Sequence, residues 1–542
     1  VSLHLAALAL DNTAQILDHL GRCFAQRVAY EGRFSRPLLD AQQPTAFLYA
    51  HLLADLEAAQ AGLRYASQQG PYEQELAQTY AALMLRRFLQ RLVLREHDFG
   101  WQGDIYASLQ THRPWIEATL ATPRLVALGQ TLLDRDAEWS GAYGVSEDHE
   151  DVRRVFARFA DEKVAPLAES IHRHDGILPE PLLQEYAAMG VFGISIPDRY
   201  DGSFVDHLTM CLATEELSRA SLGAGGSVIT RPEICAKAIL KGGSDEQKQR
   251  WLPAIARGEV LVSVAVTEPN AGSDVANVRV SARPTEGGYL INGEKTWCTF
   301  AGRANVFILL ARTGEADAGH KGLTLFLVEK PAKISETDHH HFSYTQRHGG
   351  RCEGRAIPTI GYRGMHSFSV SFEDYFVPTT HRIGEEGQGF VLQMEGFSGG
   401  RIQTAARAVG VMEAALREAI RYAQDRHVFG KPMSDYALTR VKLVEMAATL
   451  MVSRQLSYHV ASLMDDGKGS MEASLVKLLA CREAESLTRE AMQIHGGMGY
   501  SEEYPVSRYW LDARVLSIFE GAEEVLALYV VARQALTRYL SP

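Results

Sequence analysis

The hydrophobic period changes twice along this 542-residue chain, and those two changes constrain the fold more than any single motif. From Leu3 to about Trp139 apolar residues recur at helical spacing, as in Leu52, Leu53, Leu56 and Leu63, then Leu76, Tyr80, Leu83 and Phe88. Pro44 and Pro71 stand where helices would start, since the first turn needs no proline N–H. Residues 140–149 (SGAYGVSEDH) are small and polar enough for a boundary, and a second helical block covers about 150–258. Between Val262 and Pro378 β-branched, alternating runs take over. From Gly389 the helical period returns in at least four long stretches, about 398–426, 435–466, 470–495 and 521–539, enough for an antiparallel bundle. The pattern predicts an α+β chain in four parts. These are a helical extension (1–140), an α domain (150–261), a β domain (262–378) with an insertion at 333–355, and an α-helical bundle (379–542).

Inside the β block, residues 264–300 read VAVTEPNAGSDVANVRVSARPTEGGYLINGEKTWCTF. Val264, Val266, Val278 and Val280 are expected in strands, with the turn formers Pro269, Asn270, Gly272, Ser273 and Asp274 between them. Gly287-Gly288 and Asn292-Gly293 are then expected as turns around the extended segments Tyr289 to Ile291 and Lys295 to Phe300. The loop from Thr267 to Asp274 offers hydroxyls and backbone N–H groups without bulky Cβ atoms, which suits a phosphate or a ring edge. An ordinary hairpin loop uses the same residues and needs no ligand. The insertion, rich in His, Gly and Arg, has no period and is expected as a solvated loop. Its consecutive histidines, His339 to His341, diverge and have no matching second cluster, so no metal site is expected.

A formal net charge of -11 argues against a nucleic-acid groove or an anionic membrane surface as partner. Six scattered cysteines without C-x-x-C spacing indicate neither a zinc ribbon nor a disulfide framework and fit a reducing, cytoplasmic setting. The first twenty residues lack a basic start and carry Asp11, so they read as helix rather than signal peptide. No apolar run approaches the roughly 18 residues of a membrane span. The segment GFSGG at 396–400 matches the nucleophile-elbow pattern, with Asp425 and His495 following in hydrolase order. That reading needs a buried strand before Ser398, and the flanking sequence is helical. No dinucleotide-binding glycine motif, P-loop or zincin motif occurs.

Six stretches in order resemble the signatures of the acyl-CoA dehydrogenase family. They are VTEPNAGSDVANV (266–278), INGEKTWCTFAGRANVFILLART (291–313), GYRGMHSFSVSFEDYFVP (361–378), DRHVFGKP (425–432), QIHGGMGY (493–500) and IFEGAEEV (518–525). The resemblance covers about 150–540 and implies an α-helical domain, a central β-barrel-like domain and a C-terminal four-helix bundle, here with an extra N-terminal helical domain. It implies FAD as cofactor, an acyl-CoA substrate desaturated at the α,β position, and an electron-transfer flavoprotein as electron acceptor. Val266, Thr267, Trp297 and Thr299 would line the flavin, and Ser273 would lie toward the pyrophosphate and pantetheine. Arg426, Phe429, Gln493, Gly496 and Gly497 would hold the adenosine and diphosphate, in this family partly across a subunit interface, which implies a homodimer.

Arg401 corresponds to the arginine near the CoA channel, although Ser398 replaces the usual Asp, and Glu520, followed by Gly521, corresponds to the catalytic base. A carboxylate is needed there to take the α-proton of a thioester while a hydride leaves the β-carbon. Burial against an acyl chain is expected to raise its pKa. On its own, a Glu-Gly pair reads equally as a surface helix cap. One subgroup carries the base on the earlier helix, at a position that is Gly400 here, and Ala522 stands where a Thr is usual. The long extension and the segment AIPTIGYRGMHSF (356–368) resemble the subgroup acting on methylsuccinyl-CoA, a thioester with a free carboxylate and an α-methyl branch. A straight-chain or other branched acyl group remains the alternative. Thr230 and Arg231, in a helix otherwise apolar in relatives, are the expected carboxylate partners, with Arg347, Arg351 and Arg355 in reserve.

Overall fold

The computed structural model describes residues 2–332 and 339–540, in two compact units: Val1–Arg154 with Thr404–Pro542, and Val155–Gln403. The first unit is helical. Its helix Gln43–Ala66 packs on Pro71–Leu92 and on the C-terminal helices Ala437–Asp465 and Ser470–His495, so the N-terminal residues share a core with the bundle. Pro44 and Pro71 sit in the first turns of their helices, where the sequence places them. Small residues set the spacing: a Cβ on Gly62 would lie 2.6 Å from Val452 Cγ1, and one on Gly129 would lie 2.6 Å from Arg440 Cβ. Charge crosses the same seam. Asp55 accepts from Arg91 Nη1 (2.7 Å) and from Arg482, and Glu413 accepts from Arg417 Nε (2.6 Å) and Arg454 Nη2 (2.9 Å), while Arg454 Nη1 donates to Ser140 Oγ (2.7 Å).

The second unit is built on a nine-stranded sheet. Its strands are β1 (Val262–Ala265), β2 (Ser281–Thr285), β3 (Gly288–Thr299), β4 (Val306–Arg312), β5 (Leu323–Glu329), β6 (His341–Thr345), β7 (Arg351–Ala356), β8 (Ser367–Pro378) and β9 (Arg382–Ile383). The order is β9-β5-β4-β2-β3-β8-β7-β6, with β1 pairing parallel to β4. β4 is apolar from Val306 to Ala311 because both its faces are covered. Ile308 and Leu310 pack with Ile239, Trp251 and Leu252 of the flanking helices Thr230–Gly242 and Asp245–Ala256, and Phe307 and Leu309 pack with Ile291, Phe326 and Phe372.

Three local expectations are corrected. Asn292-Gly293 is not a turn: β3 runs through it, with Gly293 at φ +127° opposite a register shift in β8 and Asn292 Oδ1 accepting from Asp374 N (2.9 Å). Val266 falls one residue past the end of β1, and Val278 and Val280 precede β2 rather than lie in a strand, because the chain there is tied to Lys295 and Glu268. The described part of the insertion is the β6–β7 hairpin, with Phe342 and Cys352 buried in the sheet core, and residues 333–338 lie outside the described residues. The helix Val506–Leu516 falls between the last two of the long helical stretches. Among the described residues no helix is long and apolar enough to cross a membrane.

Candidate active site

In the sheet unit, the polar loop after β1 is braced from below. Lys295, fully buried, donates to Val266 O and Glu268 Oε1 (both 2.8 Å), and Glu268 also accepts from the backbone N of Arg279 (2.7 Å) and Val280 (2.8 Å). Burial depresses the Lys295 pKa and the Glu268 charge opposes that. The brace fixes the loop's ends and leaves Ser273 exposed at its crest. Thr267 is tied to the end of β3 by Thr296 N donating to Thr267 O (2.8 Å), and Ser263 Oγ donates to Thr299 O (2.8 Å). The structure thus brings Val266, Thr267, Trp297 and Thr299 together. Trp297 takes a left-handed backbone (φ +57°) and shows an indole 55% exposed, while Thr299 Oγ1 meets Ser367 Oγ at 2.9 Å. A non-glycine residue at positive φ is strained, and here the strain presents a large flat ring that a flavin would cover.

Thr230 and Arg231 are both buried, so Arg231 is not the surface arginine that Pro232 after it suggests. Thr230 Oγ1 donates to Gln403 Oε1 (2.7 Å); Arg231 donates from Nη2 to Tyr362 OH (2.8 Å) and from Nη1 to Ser227 O. Arg401 is half-buried on the helix Gly389–Asp425, and Arg347, Arg351 and Arg355 are exposed. GFSGG lies within that same helix with no strand leading into it, so the nucleophile elbow does not form. Asp425 is exposed, and His495 is buried, stacked on Tyr422 at 4.2 Å with Nδ1 2.8 Å from Ala491 O. Asp175, His340 and His366 bring possible ligand atoms within 4.8 Å of one another, but Asp175 Oδ1 already lies 3.1 Å from both Arg363 Nε and His366 Nε2.

In the helical unit, Glu520 and Gly521 are consecutive left-handed residues (φ +54° and +95°) in the turn after the helix Val506–Leu516. Gly521 O accepts from Lys477 Nζ (2.7 Å), and Glu523 N closes the turn on Ser517 O (3.0 Å). Arg407 stands beside it, fully buried. Its guanidinium carbon lies 4.9 Å over the Phe519 ring, Nη2 donates to Thr404 Oγ1 (2.9 Å) and sits 3.9 Å from Glu520 Oε1, and among the described residues Nε and Nη1 have no partner. The Glu520 side chain is 15% exposed, with a cation rather than a purely apolar wall next to it. The sequence reading missed Arg407, although it stands two helical turns beyond Gly400, the alternative base position, and that spacing marks it.

Arg426 links the helix Gly389–Asp425 to a short ribbon, His427–Val428 with Lys431–Pro432, whose tip carries Phe429 at φ +50° and 98% exposure. Gln493 is exposed at the end of Ser470–His495, and the next residues, Gly496 and Gly497, are open: a Cβ on either would meet nothing within 4 Å. The Tyr422–His495 stack joins the two helix ends, which brings the Arg426 and Gln493 segments near each other. An exposed Phe, open glycine backbone, Arg and Gln make a surface that fits an adenine ring and a diphosphate.

The sequence matches three acyl-CoA dehydrogenase domains in succession: the N-terminal domain over 146–259, the middle domain over 263–375 and the C-terminal domain over 387–536. It is 37% identical over 549 aligned positions to (2S)-methylsuccinyl-CoA dehydrogenase of Cereibacter sphaeroides, with 98% of each chain covered. To the mitochondrial 2-methylacyl-CoA dehydrogenase of Solanum tuberosum it is 34% identical, covering 74% of this chain and 94% of that one. The solved butyryl-CoA dehydrogenase of Megasphaera elsdenii superposes with a TM-score of 0.65 at 31% identity, covering 72% of this chain and 98% of that one.

Proposed function

The chain belongs to the acyl-CoA dehydrogenase family, FAD-dependent oxidoreductases acting on CH–CH bonds, and from that premise we propose that its substrate is (2S)-methylsuccinyl-CoA, oxidised to 2-methylfumaryl-CoA (mesaconyl-CoA). One observation carries the choice of a carboxylate-bearing thioester: Arg407, fully buried beside the Glu520 carboxylate, holds two nitrogens, Nε and Nη1, with no partner among the described residues. An unsatisfied buried guanidinium is costly, and a planar anion is the ligand that satisfies it best. In this substrate the free carboxylate is only two bonds from the carbon that loses its proton, so its partner must lie close to the base. The similarity to a methylsuccinyl-CoA dehydrogenase over 98% of each chain supports the same reading, because it extends over nearly all of the 145 residues that precede the matched family domains.

Glu520 takes the α-proton, which the thioester carbonyl acidifies when that carbonyl is hydrogen-bonded. FAD, when bound, supplies the acceptor for the β-hydride. Val266, Thr267, Trp297 and Thr299 would hold its ring system, with Ser273 toward the pyrophosphate and the pantetheine. Arg426, Phe429, Gln493, Gly496 and Gly497 would hold its adenosine diphosphate end, and the exposed Phe429 favours a homodimer in which that end is shared. Arg401 lies toward CoA, Gly521 lets the base turn form, and Thr230 and Arg231 assist at the acyl end. Electrons would then leave to an electron-transfer flavoprotein.

The test compares two thioesters of equal length, one dicarboxylic and one neutral. Arg407→Met should cost about 2–5 kcal/mol in transition-state binding for the dicarboxylic substrate and far less for the neutral one. Arg231→Ala should show the same preference more weakly, since its N–H groups are already engaged. Equal losses on both thioesters would favour the other reading, a dehydrogenase of a neutral short or branched acyl-CoA.

A further inference from the structure

The turn that carries Glu520 does not hold itself, because two consecutive left-handed residues, one of them not glycine, are disfavoured without external ties. One of its ties comes from the N-terminal helices. His51, on the helix Gln43–Ala66, is 4% exposed, and its Nδ1 lies 2.7 Å from Arg482 Nη1. A guanidinium only donates, so Nδ1 must carry the lone pair and the proton must sit on Nε2. Nε2 faces Glu523 Oε1 at 3.2 Å in a bent contact, at the C-terminal edge of the turn that Glu523 N closes on Ser517.

The ring is fixed from behind as well. Phe47 packs edge-on against it at 4.5 Å, and Arg482 is itself anchored on Asp55, which Arg91 holds from the next helix. The result is a continuous polar chain, Arg91 to Asp55 to Arg482 to His51 to Glu523, in which the first three members make the fourth a donor aimed at the turn. The Glu523 carboxyl is held below the usual range, first by the His51 imidazole beside it, against a smaller effect of burial, so it is an anion that the ring's N–H faces.

We propose that His51 is a positioning residue for the base: through Glu523 it fixes the Ser517–Glu523 turn, so that the N-terminal helices set the placement of Glu520. This rests on the reading of Glu520 as the base, and the experiment separates the two. In the FAD-loaded enzyme, His51→Phe keeps the ring volume and the Phe47 contact but removes both nitrogens, whereas His51→Gln keeps an acceptor and a donor. Three quantities are measured: amide hydrogen exchange across 517–523, the rate of anaerobic flavin bleaching by the dicarboxylic thioester, and that thioester's binding constant. His51→Phe should speed exchange in the turn about tenfold or more while the rest of Ser470–His495 keeps its protection. It should slow bleaching by about 10- to 100-fold with affinity changed less than about threefold. His51→Gln should recover most of both, and Glu523→Gln, if His51→Phe fails to fold, should reproduce the first pattern more mildly. Unchanged exchange and bleaching would overturn the proposal, as would faster exchange spread over all the packed helices, which is a structural role alone. If no thioester bleaches even the unmodified enzyme, the assignment of the base fails, and exchange in the turn still decides whether His51 holds it.

Discussion

Two places in the helical unit bury arginine, and they treat it differently. On the seam between the N-terminal helices and the bundle, Arg454 donates to Glu413 and Ser140, and Arg482 to Asp55 and His51; Asp55 and Glu413 each answer to two arginines. At the Glu520 turn, Arg407 is as deeply buried, yet two of its nitrogens have no partner among the described residues and its carboxylate neighbour is 3.9 Å away. A saturated buried pair is a structural device, whereas an unsaturated one is under-stabilised until an anion arrives. On the proposed function, the difference separates residues that hold the fold from Arg407, which would take the substrate carboxylate.

The comparison can be broken most readily at the seam. Arg454→Met leaves Glu413 buried with half its partners and should lower unfolding stability by about 3–5 kcal/mol, read from urea titrations. A loss below about 1 kcal/mol would mean that the seam is no more structural than a surface pair. The next effect is acid sensitivity. Burial alone would raise the Glu413 pKa, but Arg417 and Arg454 outweigh it and hold the carboxyl down to about 2. A carboxylate with a depressed folded pKa contributes stability that is complete above its unfolded value near 4.5 and is lost as pH falls toward 2. That contribution, on the order of 3 kcal/mol, should appear as a stability decline between those pH values that Glu413→Gln largely removes. The smallest effect falls at the other site. Arg407→Met should change unfolding stability by less than about 1 kcal/mol, or raise it, because it removes a charge whose pairing is incomplete. A loss as large as that of Arg454→Met would erase the distinction.

The helices and the sheet were legible because their periods are long and their faces are fully covered, as at β4, where strict alternation gave way to an unbroken apolar run. Asn292-Gly293 misled because the same dipeptide that makes a hairpin turn also makes a bulge, and only the partner strand decides. The β6–β7 hairpin escaped because its buried residues, Phe342 and Cys352, are few among His, Arg and Gly. The Glu520 turn and the Thr267 loop were visible through a family resemblance, whereas their supports were not. Lys295 under the loop, Arg407 beside the turn and His51 behind it are ordinary residues in sequence and acquire meaning only from partners 27 to 472 positions away. Long-range pairing of charge has no local signature.

The most direct test of the account is one absorbance experiment on the purified, FAD-loaded enzyme. Anaerobic addition of (2S)-methylsuccinyl-CoA should bleach the flavin band, and Glu520→Gln, nearly isosteric but unable to accept the α-proton, should bind the same thioester and bleach at least about 10²-fold more slowly. Bleaching by Glu520→Gln within a few-fold of the unmodified enzyme would contradict the assignment of Glu520 as the base.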